Sequence, residues 1–191
     1  MPVGHSPGNR SLRPAWVEID LAALAHNLAV ARRLAGSRRL IASVKANGYG
    51  HGAVLMSTAL AKLGVDCLWT GSLDEAIEIK LAGLAARIIM FGGYTPVQMP
   101  ELLGQGLVPT IYDEAGAKAV TGAADSPAAV FVKVDSGFGR LGVPIVDAFD
   151  LILGIAALPN VAIEGIYTHL PFSDAAGREW ARGCHGGFES L

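Results

Sequence analysis

Long apolar runs are missing from this chain of 191 residues. No stretch reaches the roughly 18 consecutive apolar residues that a membrane-spanning helix needs, so no span is expected. Cysteine is scarce. Cys67 and Cys184 stand in unrelated contexts and without metal-ligand spacing, which excludes a disulfide framework and a cysteine-based metal site. Cys67 lies in an apolar run and is expected to be a buried thiol. Excess charge is missing too: 15 basic residues against 17 acidic ones leave a net charge of -2. That balance gives no electrostatic reason to expect nucleic acid or an anionic membrane as a partner. The opening Met1 to Ser11 has no apolar core, so it does not read as a signal peptide, and residues 1–12 are expected to form a disordered tail. These absences fit a reducing, cytoplasmic setting.

What is abundant is apolar and small. Hydrophobic residues make up 51% of the chain and glycine occurs 24 times, enough for a sizeable core with helices packed closely on strands. Asp20 caps a run of helical periodicity, Leu21 to Ala35, that Gly36 stops. Six apolar strands follow: Leu40 to Val44, Val65 to Thr70, Arg87 to Phe91, Leu107 to Tyr112, Ala128 to Val134 and Ala162 to Thr168. Pro109 removes a ladder donor and should sit near its strand's start or at a bulge. Helical patterns fall at about Gly52 to Lys62, from the capping box Ser72 to Glu75 as far as Gly83, at about Ile145 to Ala157, and from Arg178 onward. Strands alternating with helices describe a parallel α/β sheet, and strands apolar on both faces fit one covered on both sides. Two closures satisfy the pattern: an open doubly wound sheet, or a (β/α)8 TIM-type barrel incomplete in this chain, with about six of eight strands.

Chemistry in α/β proteins collects at strand ends. Four ends here are polar or glycine-rich: Lys45 to Gly52, Lys133 to Gly142, Thr168 to Asp174, and Gly92-Gly93-Tyr94. In Ser43-Val-Lys-Ala-Asn-Gly-Tyr-Gly-His-Gly52, Lys45 follows a strand and precedes three glycines in five residues. Desolvation at such a place favours the neutral amine that a Schiff-base lysine needs. Read alone, the same lysine is an ordinary surface residue before a turn. The second string contains Gly137-x-Gly139-x-x-Gly142, with Glu164 about twenty residues on, which matches the letters of a dinucleotide fingerprint. That fingerprint normally opens the first βαβ unit, whereas this copy follows the fifth strand, and Pro144 keeps Val143 out of helical conformation. Lys133 lies inside an apolar strand, where an unpartnered ammonium is costly. Asp135 shares its face of the strand and could pair with it.

Ser43 to Gly52 resembles, almost letter for letter, the cofactor-lysine motif of the alanine racemase family of pyridoxal 5'-phosphate (PLP) enzymes. Lys133 to Gly142 resembles that family's lysine-to-arginine string. Trp16 to Asn27 is similar to its opening strand and helix, and Gly165 to His169 to its histidine strand. The resemblance implies the barrel closure, PLP as cofactor, and interconversion of L- and D-alanine. It implies Lys45 as the Schiff-base lysine and the base for one face of the substrate, Tyr49 as a phosphate ligand, and Arg140 at the PLP phenolic oxygen and the substrate. It further implies His169 beside the ring, and Lys133, carbamylated in many members, as the residue that positions Arg140. A PLP-binding barrel domain is thus expected over residues 13–191, truncated at its C-terminal end. The family's last two barrel strands and its β-rich domain, with the second base and the dimer contact, are expected to lie outside this chain. A homodimer is expected of a full-length form, with a small amino acid as substrate and no metal. A PLP racemase or eliminase for another amino acid, a silent PLP-binding fragment, and a dinucleotide-binding protein are the alternatives.

Overall fold

The computed structural model describes residues 16–92, 94–170 and 174–191. The expected tail over 1–12 lies outside them, as do Gly93 and the Pro171 to Ser173 part of the loop after His169. The chain divides into two compact units, Met1–Ser37 and Arg38–Leu191. In the first, Trp16 to Asp20 joins no sheet, so the expected opening strand is not formed. Helix α1 (Leu21–Ala35) starts where Asp20 accepts from the Ala22 and Ala23 amides, and it ends at Gly36.

The second unit is a parallel sheet with helices between its strands. Its seven strands are β1 (Ala42–Ser43), β2 (Cys67–Thr70), β3 (Arg87–Met90), β4 (Val108–Ile111), β5 (Ala128–Asp135), β6 (Val143–Pro144) and β7 (Val161–Tyr167). Six are the strands expected from the sequence. The seventh, β6, is two residues long and pairs with the end of β5, Val134 against Val143. The order runs β1-β2-β3-β4-β5, with β7 also on β5. Pro109 is the second residue of β4, near its start. The sheet's irregularity falls elsewhere, between Val130 and Phe131 of β5.

Between the strands lie α2 (Lys45–Tyr49), α3 (Ala53–Lys62), α4 (Leu73–Leu81), α5 (Met99–Gly104), α6 (Glu114–Ala123) and α7 (Ile145–Ala156), with α8 (Ala175–Glu189) last. Helices α5 and α6 were not legible as periodic runs, although Asp113 caps α6 by accepting from the Gly116 amide. One face of the sheet packs on helices: Val130 and Val132 of β5 share a core with Val120 of α6 and Ile155 of α7. The other face carries Cys67, Ile89, Val108 and, around them, Phe91 and Phe131.

This second face decides how the sheet closes. Phe91 at the end of β3 stacks on Tyr167 of β7, with ring centroids 4.2 Å apart. Three strand spacings separate those strands, which in a flat sheet would be about 14 Å. The sheet therefore curls as a barrel wall does, with the aromatic face inside. Trp69 of β2 extends the inner layer, 4.4 Å from Phe91. Among the described residues β1 pairs only with β2 and β7 only with β5, so the barrel is open between them. Strand ends from β1 to β7 point to one rim, and the site lies there.

Candidate active site

Val44, fully buried, carries the chain from β1 to Lys45, and its amide donates to the Trp69 carbonyl at 2.8 Å. The next turn has the wrong hand. Ala46 (φ 52, ψ 51), Asn47 (φ 54, ψ 48), Gly48 (φ 62, ψ 39) and Tyr49 (φ 54) are all left-handed. Each non-glycine residue there costs roughly 1–2 kcal/mol, so Ala46, Asn47 and Tyr49 together cost roughly 3–6 kcal/mol. Hydrogen bonds offset this. The Gly48 amide donates to Val44, and the Gly52 amide to Asn47, each at 2.8 Å. The Asn47 side-chain oxygen accepts from Ala53 at the start of α3, and the Asn47 amide donates to the Glu75 carboxylate, both at 2.8 Å. The turn leaves the Lys45 amine 5.3 Å from the Trp69 ring and 5.8 Å from the Tyr49 ring.

Lys45 lines a cavity of about 280 Å³ together with Trp69, Phe91, Lys133, Arg140, Tyr167 and His169. Four of the five residues named from the sequence thus converge. Tyr49 does not line this cavity. It is 58% exposed, and its hydroxyl lies 3.2 Å from the Ser43 hydroxyl. No local pattern marks the aromatic floor, because Trp69, Phe91 and Tyr167 read only as apolar strand residues.

Lys133 is 6% exposed. Burial lowers its pKa first; Arg140 and Lys45 lower it further, and Asp135 only partly opposes them. The ion pair with Asp135 that the sequence allowed does not form. One Asp135 oxygen accepts from the Gly137, Phe138 and Gly139 amides, and the other from the Arg140 amide at 3.0 Å. Burial raises the Asp135 pKa, but these four donors outweigh it and hold the carboxyl below its usual range. Asp135 therefore closes the loop that delivers Arg140, and the glycines of the Gly137-to-Gly142 string serve that closure. Ser136 and Thr168, 2.8 Å apart, tie this loop to the end of β7.

The Arg140 guanidinium lies 4.6 Å over the Phe138 ring, and His169 meets the same ring edge-on at 5.0 Å. Burial lowers the His169 pKa first, and the charges of Arg140, Lys133 and Lys45 add to it. The imidazole is thus neutral at neutral pH. A folded pKa below the unfolded value of about 6.5 means that, on acidification, the unfolded chain takes a proton the folded chain resists. The resulting stability is present above about 6.5 and is lost as pH falls through the folded pKa. Denaturant titrations should therefore show the native chain losing stability relative to His169→Gln between about pH 7 and pH 5. A constant difference across that window would mean His169 does not feel these neighbours.

Comparison with known proteins gives the lineage. The family profile "Alanine racemase, N-terminal domain" matches residues 19–183. An alanine racemase of Symbiobacterium thermophilum is 36% identical over 174 residues, covering 90% of this chain and 46% of that protein. One from Clostridium perfringens is 37% identical over 168 residues, covering 85% and 43%. Among solved structures, the Clostridium difficile 630 alanine racemase in complex with cycloserine superposes with a TM-score of 0.87 at 27% identity, covering 94% of this chain and 51% of that one. The crystal structure of alanine racemase from E. faecalis gives a TM-score of 0.81 at 31% identity, covering 91% of this chain and 48% of that one. The chain spans about half the length of the relatives it matches. Over its matched residues, the chain belongs to the alanine racemase family of pyridoxal-phosphate-dependent enzymes.

Proposed function

We propose that this chain supplies the cofactor-holding barrel of an enzyme that interconverts L- and D-alanine, with Lys45 as the residue that carries PLP covalently. The observation that carries this reading is the convergence of Lys45, Lys133, Arg140 and His169 on one cavity. The donor set fits the group. Among the described residues the cavity lining has two lysines, an arginine and an imidazole, and no carboxylate, as suits a doubly charged phosphate and a phenolate. Trp69 lines the same cavity, and its buried indole N–H has no acceptor among the described residues.

When bound, PLP supplies an electron sink that makes the Cα proton of an amino acid removable. The protein's part is to hold and to move protons. Lys45 takes or returns the Cα proton at its amine, on one face of the substrate. Racemisation requires a second acid–base group on the other face, and we assign no described residue of this chain to it. Arg140 would hold the phenolic oxygen and the substrate, His169 would flank the ring, and Tyr49 would donate to the phosphate from the outer end of the turn. Lys133 suits carbamylation, in which its neutral amine adds to carbon dioxide and releases one proton. Burial and two neighbouring cations favour the neutral amine, and the product would be an anion beside Arg140. The proposal extends to a cytoplasmic setting and a dimeric full-length form; among the described residues no helix is long and apolar enough to cross a membrane.

The test is borohydride trapping of the chain with PLP, followed by peptide mapping. A pyridoxyl label confined to Lys45 supports the assignment, and a label spread over several lysines overturns it. Arg140 is exposed and contributes one charge among several, so it should tune the bound cofactor more than anchor it. Arg140→Ala is expected to shift the pH titration of the bound cofactor's absorbance while weakening PLP binding by less than about tenfold. An unchanged titration with a large affinity loss would reverse that assignment.

A further inference from the structure

The left-handed turn after Lys45 is held from outside itself, and the group that holds it is Glu75. Sequence reading gives Glu75 a modest role, as the acid of the capping box that opens α4. The serine half of that box forms, with the Glu75 amide donating to the Ser72 hydroxyl at 3.3 Å. The carboxylate turns elsewhere. One oxygen accepts from the Asn47 amide at 2.8 Å, and the other from the Thr70 hydroxyl at 2.6 Å. Thr70 is fully buried at the end of β2, and Asn47 is the middle of the turn. A single carboxylate thus ties together the end of β2, the start of α4 and the turn that aims Lys45. Gly71, next to Thr70, faces the base of the lysine: a Cβ there would lie 3.7 Å from the Lys45 Cβ.

We infer that Glu75 is a positioning residue for Lys45, acting through Asn47 and holding the left-handed turn in the geometry that points the amine into the cavity. The inference rests on the assignment of Lys45 as the cofactor lysine. Three observations support it. The bond from Asn47 spans 28 residues, so it is tertiary and not a local cap. Burial raises the Glu75 pKa, yet its hydrogen bonds from Thr70, Asn47, Gly71 and Ser72 outweigh burial, and the group stays ionised at neutral pH. Its place in the first turn of α4 also suits an anion, because the helix dipole is positive there.

The test measures how fast PLP becomes attached to Lys45, by borohydride quenching at successive times, together with the pH titration of the bound cofactor's absorbance. Glu75→Gln keeps the length and an acceptor for the Asn47 amide, and its amide can donate to Thr70. It should attach PLP within about threefold of the native rate. Glu75→Asp keeps the charge but is one methylene too short to reach both donors. Together with Glu75→Ala it should slow attachment by about tenfold or more, the loss of one charge-assisted hydrogen bond. Both should also shift the absorbance titration. Asp113→Ala, which removes the cap of α6, serves as a control that lowers thermal stability without slowing attachment. Native attachment rates and titration in Glu75→Asp would overturn the inference, because the charge alone would then suffice. A native chain that never labels Lys45 would instead overturn the cofactor assignment.

Discussion

Lys45→Arg is expected to abolish covalent capture of PLP while leaving the fold intact. The substitution keeps a positive charge where the lysine now lies, 5.3 Å from the Trp69 ring and 5.8 Å from the Tyr49 ring, and arginine stacks on aromatic faces at least as well as lysine. The backbone of the left-handed turn is held by Val44, Asn47 and Glu75, none of which depends on the lysine side chain. Stability should therefore change by less than about 1 kcal/mol, the range of surface-type substitutions. The chemistry changes completely, because a guanidinium stays protonated and cannot act as a nucleophilic amine. Intact-mass measurement after borohydride should go from one pyridoxyl group per chain to none, with an unchanged circular dichroism spectrum. A residual label on Lys133 would show that the buried amine, and not Lys45, is the reactive one.

Much of this site could be read from the sequence, and the parts that could not have a common physical cause. Lys45, Lys133, Arg140 and His169 stand in polar or glycine-rich strings at strand ends, where one-dimensional patterns mark a break between strand and loop. Their convergence depends on the sheet curling, and curling is set by contacts between strands remote in sequence, such as Phe91 with Tyr167. A list of six strands fits an open sheet slightly better than a barrel, which needs eight. Asp135 shows a second limit. Strand parity correctly places it on the face of Lys133, but parity ignores the four amides of the following loop, which claim both its oxygens. Glu75 shows a third. Its spacing from Ser72 is that of a capping box, and nothing local reveals that its carboxylate is drawn to Asn47, 28 residues earlier. Strand β6 and helix α5 were missed because they are two and six residues long, and α6 because its buried face is made of Gly116 and Ala117 with Val120, which leaves a weak apolar pattern. Pro144, by contrast, acted as its chemistry requires: Val143 stays extended in β6 and α7 begins at the next residue after the proline.

Gly142→Ala is expected to be the most destabilising glycine substitution in the Gly137-to-Gly142 string. Gly142 has φ 143, outside the range that residues with a Cβ tolerate. A methyl group there would lie 2.7 Å from the Asp135 amide nitrogen and 3.0 Å from the Val134 carbonyl carbon. Both are backbone atoms of β5, so neither can rotate away as a side chain would. Backbone strain and overpacking each cost about 1–3 kcal/mol, and a combined loss of about 3 kcal/mol is expected. For a chain of this size that amounts to a drop in Tm of roughly 6–12 °C. The damage is directed, because the atoms pushed apart belong to the pairing of β5 with β6 and to the residue that closes the Arg140 loop. Gly139 provides the comparison. It also has positive φ, at 72, but nothing lies within 4 Å of a Cβ there, so Gly139→Ala should cost only the left-handed penalty of roughly 1–2 kcal/mol. If the string only admitted a dinucleotide phosphate and made no close approach to β5, Gly142→Ala would cost no more than Gly139→Ala. Thermal denaturation of the two variants separates these cases: a Gly142→Ala chain that melts with the native protein would remove the close approach of the loop to β5 from the explanation of how Arg140 is placed.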